Sequence, residues 1–87
     1  MSTRLYVSNL PLSATEDVLT GKFGHFGTVV SVKMDRDAGT GISRRGAFVE
    51  MRTTADAQKA INGLNFADFD GRLMSVYRAV VAAAVAH

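Results

Sequence analysis

Tyr6, Phe48 and Tyr77 each sit in a short stretch that alternates aliphatic residues with others: Leu5-Tyr6-Val7-Ser8, Ala47-Phe48-Val49-Glu50-Met51 and Met74-Ser75-Val76-Tyr77. Such alternation marks a half-buried strand, with the aliphatic side chains on one face and their neighbours on the other. Each ring is thereby expected on a solvent face, where a flat π surface can stack on another flat molecule. Cations lie close in the sequence: Lys33, the adjacent pair Arg44 and Arg45 just before Phe48, and Arg36 one short loop upstream. Seven of the ten basic residues are arginine (4, 36, 44, 45, 52, 72 and 78), whose planar fork suits bidentate contacts to phosphates and bases. The net charge of +2 is too small by itself to name a polyanionic partner, so the clustering carries that argument. Asn9 and Ser75 are the polar side chains beside the rings that could hydrogen-bond the edge of whatever stacks there.

Other chemistries lack material. There is no cysteine, hence no disulfide, thiol nucleophile or cysteine metal site; the two histidines, His25 and His87, are far apart. No cofactor, metal or small-molecule substrate is expected. No carboxylate pair or nucleophile–base pair stands out, so the chain is not expected to be an enzyme. Gly21-Lys22-Phe23-Gly24 fits the GXXG loop of the KH family, but Phe23 falls on the apolar stripe of a helix. Gly39-x-Gly41 is too short for a dinucleotide fingerprint, and no Gly-Lys-Ser/Thr follows it. With 87 residues, 47% hydrophobic, and a single proline, the composition is that of one globular domain. No apolar run reaches membrane-span length and the N-terminus has no signal-peptide core. These features predict a soluble cytoplasmic protein, and the initiating Met with direct entry into a strand suggests a complete chain.

The elements that must position the rings follow in order. Leu5 to Ser8 is a strand ended by Asn9-Leu10-Pro11. A helix carries Leu19, Phe23 and Phe26 and stops at Gly27; its cap is Thr15, or Ser13 in a capping box with Glu16. Thr28 to Met34 is a β-branched strand, Asp35 to Ser43 a polar connection, and Ala47 to Met51 a third strand. Thr53 or Thr54 caps a second helix with Ala57, Ala60, Ile61 and Leu64 on its buried stripe and Asn62-Gly63 as its end. Phe66 to Gly71 is a turn region and Leu73 to Ala79 the fourth strand. The order β-α-β-β-α-β predicts a ferredoxin-like α+β sandwich: a four-stranded antiparallel sheet with two helices on one face and the other face open.

Leu5-Tyr6-Val7-Ser8-Asn9-Leu10 resembles the hexapeptide motif of the RNA recognition motif (RRM) family, and Arg44 to Met51 (RRGAFVEM) resembles its octapeptide. Asp70-Gly71-Arg72 before the last strand is also similar. The resemblance covers residues 3–79 as one domain, with residues 80–87 a short apolar tail. The octapeptide departs from the pattern: with Ala47-Phe48-Val49 in register, Arg45 stands where the family has glycine and Gly46 where it usually has an aromatic. Slipping the register by one would bury Glu50 and expose Val49, so the first alignment is preferred.

The resemblance implies non-catalytic binding of single-stranded RNA and a role in post-transcriptional regulation. Tyr6 and Phe48 would stack bases while Arg44, Arg45 and Lys33 hold phosphates, with Arg78 a further candidate. Tyr77 shifts the platform toward the fourth strand and offsets the ring missing at Gly46. At about 1–3 kcal/mol per stacked base, two rings fall short of the about 8 kcal/mol of a micromolar complex, so phosphate contacts must supply the rest. The rival expectation is a protein-interaction module whose sheet is covered by the tail or by a partner, with the apolar tail or the helical face binding the partner chain. Two further expectations are that Arg36, Arg44 and Arg45 form a solvated face balanced by Asp35 and Asp37, and that the tail frays or lies on the sheet.

Overall fold

The computed structural model describes residues 3–79. The expectations for the tail at 80–87 therefore fall outside the described residues. The elements run β1 (Arg4–Ser8), α1 (Glu16–Gly24), β2 (Val29–Arg36), β3 (Ser43–Met51), α2 (Thr54–Leu64), β4 (Asp68–Phe69), β5 (Arg72–Leu73) and β6 (Ser75–Arg78). Strands β2-β3-β1-β6 form one antiparallel sheet, and β4 and β5 form a separate small hairpin. This is the expected ferredoxin-like sandwich, with β1 and β3 at its centre.

The alternation in the sequence becomes the two faces of the sheet. Leu5 and Val7 of β1, Ala47, Val49 and Met51 of β3, and Val76 of β6 are buried in one cluster with Leu19 and Phe23 of α1 and Ala57, Ala60 and Leu64 of α2. Each fully buried aliphatic side chain contributes about 1.5–3 kcal/mol, which fixes the register because a one-residue slip would turn all of them outward. Helix α1 lies against β2, and α2 against β6 and β3. No helix among the described residues is long and apolar enough to cross a membrane.

The helix ends decide the open choices. Thr15 caps α1, its hydroxyl accepting from Val18 N at 3.2 Å, while Ser13 donates instead to Asp70. Thr53 caps α2 by accepting from Asp56 N. Three sequence expectations need correction. Helix α1 ends at Gly24 with His25 as its cap, so Phe26 and Gly27 lie beyond it. Helix α2 runs through Asn62-Gly63 to Leu64. Gly63 serves close approach: a Cβ there would lie 2.2 Å from the Phe26 ring. The last sheet strand begins at Ser75, not Leu73. Asp70 and Gly71, both at positive φ, close a two-residue hairpin that pairs Asp68 with Leu73.

Phe23 is a fully buried ring between helix and sheet. Phe23→Ala is expected to lower stability by about 3–5 kcal/mol, read as a fall in the urea midpoint with little change in slope. A loss below 1 kcal/mol would show that this core does not hold α1 to the sheet.

Candidate functional site

Cross-strand pairing sets Tyr6 of β1 opposite Phe48 of β3 on one side and Tyr77 of β6 on the other; Lys33 of β2 faces Phe48. Lys33, Phe48, Tyr6 and Tyr77 therefore form one row across all four strands, on the face away from the helices. The Tyr6 and Phe48 rings are 4.9 Å apart at 65°, edge to face, and Tyr6 and Tyr77 are 5.7 Å apart at 49°. Both spacings lie in the favourable range for aromatic pairs. Tyr77 is 50% exposed, and Tyr6 and Phe48 are half-buried, so the three rings form a continuous outward surface.

Tyr6 does more than stand outward. Its hydroxyl donates to Asp35 Oδ2 at 2.8 Å, two strands away on β2. To reach it the ring crosses β3 over Gly46, where a Cβ would lie 2.1 Å from the Tyr6 oxygen. The glycine that removes a ring from the octapeptide thus makes room for the ring of the hexapeptide. Burial, and then the bond to Asp35 and its negative charge, push the Tyr6 hydroxyl up from 10.0 to about 12, with the Arg44 charge opposing. The phenol is thus neutral and committed as a donor at ordinary pH.

The basic residues are placed by an irregularity. Asp35 pairs with Gly46 but Arg36 pairs with Ser43, so Arg44 and Arg45 are extra residues bulged from β3. Arg45 has φ 58°, its N–H donates to Ser43 Oγ, and its carbonyl accepts from Leu10 N–H. Simple alternation from Phe48 would turn Arg44 outward with Gly46; the bulge determines its direction instead. Lys33, Arg36 and Arg44 are exposed. Among the described residues no ion pair neutralises Arg36, Arg44 or Arg45. The acids expected to balance them are used elsewhere: Asp35 takes Tyr6, and the Asp37 carboxylate accepts from the Gly39 and Thr40 N–H groups. That capped loop lets β2 continue to Arg36 and β3 begin at Ser43, correcting the long connection expected at 35–43.

Two candidates take other roles. Arg78 pairs with Leu5 on the helix-covered face and donates to Thr54 O and Gln58 Oε1 of α2. Asn9, at φ 62°, donates from Nδ2 to Leu73 O at 2.7 Å and accepts at Oδ1 from Arg72, tying the end of β1 to the hairpin. A local clue pointed there: asparagine tolerates the left-handed conformation better than most residues. Ser75 is half-buried and pairs with Ser8 on the ring face, beside the aromatic row.

Sequence reasoning missed the β2 side of Phe48. A groove of about 390 Å³ lies there, its lining including Arg4, Ser31, Lys33, Asp35, Phe48 and Glu50. Ser31, Lys33 and Asp35 alternate on β2 opposite Glu50, Phe48 and Gly46. The alternation was present in Ser-Val-Lys-Met-Asp, but Asp35 reads as loop until the hairpin is seen. Among the described residues, no group of His, Cys, Asp and Glu could hold a metal ion.

A family model described as the RNA recognition motif matches residues 5–75. A protein of Nostoc sp. named "Putative RNA-binding protein RbpE" is 40% identical over 75 residues, covering 86% of this chain and 76% of that one. The crystal structure of RNA Binding Protein PG1 superposes with a TM-score of 0.85 at 39% identity, covering 92% of this chain and 96% of that one. A sex-lethal protein–RNA complex gives a TM-score of 0.80 at 40% identity, covering 88% of this chain and 47% of that one.

The Tyr6 hydroxyl provides a direct test of the arrangement. In Tyr77→Phe, the one remaining tyrosine is expected to titrate near 12 by ultraviolet absorbance. Adding Asp35→Asn should bring it part of the way back toward 10, since the charge goes while the burial stays. Because the folded value lies above the unfolded one, the stabilisation from Tyr6 is complete below pH about 10 and falls as pH rises toward 12. Titration near 10 in Tyr77→Phe would show that the Tyr6–Asp35 bond does not form.

Proposed function

The chain belongs to the RNA recognition motif family, and on that footing we propose that its open sheet face binds single-stranded RNA. Bases stack on Phe48, Tyr6 and Tyr77, while Lys33, Arg44 and Arg45 hold the phosphates and Ser75 lies at the rim of the stack. The observation that carries the reading is the row of three outward rings across β3, β1 and β6 with cations at its β2 end. Every base has a π face, so such a platform accepts single strands whose bases are unstacked from one another. The row supports one stacked base per ring, each worth about 1–3 kcal/mol. Cations without internal partners retain their charge for the phosphates, and each phosphate neutralised releases counterions. Binding at this face is non-catalytic, and its cellular use in this proposal is post-transcriptional regulation. Asn9 and Arg78, turned to the hairpin and to α2, have no part in it.

Titration of labelled single-stranded RNA tests this. Phe48→Ala and Tyr6→Ala are each expected to weaken binding by about 5- to 150-fold, the range of one lost stack, and Tyr77→Ala should fall within it. Log affinity should fall with log salt at a slope of about −2 for three phosphate contacts. Replacing Arg44 should make that slope shallower without removing stacking. Affinity indifferent to both Phe48→Ala and salt would assign this fold to protein binding instead.

A further inference from the structure

The groove on the β2 side of Phe48 is built unlike the rest of the platform. Its wall combines a ring, three cations (Arg4, Lys33 and Arg36) and two carboxylates (Asp35 and Glu50). Carboxylates are unhelpful to a site that only collects phosphates. Asp35 is engaged by Tyr6, and the consequence reaches the ligand: the Tyr6 hydroxyl spends its proton on Asp35 and offers none to a base carbonyl. Glu50 is different. It meets the Arg4 guanidinium at 3.9 Å between partly exposed side chains, a weak contact that leaves carboxylate lone pairs able to accept. Glu50 stands two residues from Phe48 on the same face of β3, and Lys33 is the direct cross-strand neighbour of Phe48. A base stacked on Phe48 in this groove thus meets a pure donor, the Lys33 ammonium, and a pure acceptor pair, the Glu50 carboxylate.

Resting on the RNA-binding reading above, we infer that this groove selects guanine, with Glu50 as the specificity-determining residue and Lys33 as its complement. The Watson–Crick edge of guanine reads acceptor, donor, donor: O6, N1–H and the N2 amine. The two donors lie side by side and match the two oxygens of a carboxylate, while O6 faces a cation. Uracil reads acceptor, donor, acceptor and turns a carbonyl toward Glu50. Cytosine turns two acceptors that way after its amine. Adenine offers one amine beside a bare ring nitrogen. Only guanine satisfies both oxygens of Glu50 and the ammonium of Lys33 together. Base edges in unpaired RNA are open to this kind of reading, and a good bidentate pair discriminates by about tenfold or more.

The test uses four labelled RNA pentamers that differ only at the central base, with uracil on both sides, titrated against the full chain at one salt concentration. The guanine pentamer is expected to bind about tenfold tighter than the uracil one, with adenine and cytosine closer to uracil. In Glu50→Gln, which keeps the shape but replaces one acceptor by a donor, the guanine and uracil pentamers should come within about twofold of each other. Equal affinities for the four pentamers in the wild type, a comparison that needs no variant, would overturn the inference and leave RNA binding standing. So would a guanine preference that survives Glu50→Gln. If no pentamer binds the wild type, the RNA reading falls together with the inference.

Discussion

The structure depends on the strict two-residue alternation of β1 at the centre of the sheet. Leu5 and Val7 face the helices and are fully buried, so Tyr6 between them has no choice of side. Central strands have neighbours on both flanks, and whatever they turn outward is held by two sets of cross-strand contacts. For Tyr6 those contacts are Phe48 and Tyr77. The hydrophobic effect that buries one face therefore also arrays the other, and the Tyr6–Asp35 bond adds to the hold on the central ring.

That regularity ends where β3 meets its hairpin, and the break is used. Two extra residues, Arg44 and Arg45, bulge between pairs Asp35–Gly46 and Arg36–Ser43. Next to them a glycine leaves a gap in the face, and Tyr6 lies across it to bond Asp35. A side chain at position 46 would occupy that space. Gly46 leaves β3 with one outward ring, Phe48, and gives the neutral Tyr6 hydroxyl the room to reach Asp35 on the face where the groove opens.

The same economy governs charge. Eight acids against ten bases suggest near cancellation. In space two of the acids near the site accept from the chain's own donors, Asp35 from Tyr6 and Asp37 from the backbone of its loop, while Glu50 keeps only a weak contact with Arg4. Among the described residues Arg36, Arg44 and Arg45 have no carboxylate ion-paired to them, while the Arg78 and Arg72 side chains are drawn into holding α2 and the β4–β5 hairpin. A nearly neutral protein thereby presents a face that is locally basic.

Much of this was legible in the residues themselves. Alternation in LYVS, AFVEM and SVY determined which rings face outward, because burial of the intervening aliphatic residues dominates strand orientation; the order of strands and helices followed from the same patterns. The cap at Thr15, the gap above Gly46 and the commitments of Asp35, Asn9 and Arg78 were decided by tertiary structure alone. Each depends on a partner at least 20 residues away in sequence, as Arg78 does on Gln58, or, for the cap, on Ser13 being drawn to Asp70. A polar side chain reveals in sequence that it can bond, but only the packed chain determines with what, since the bond forms wherever folding has left a matching group within about 3 Å.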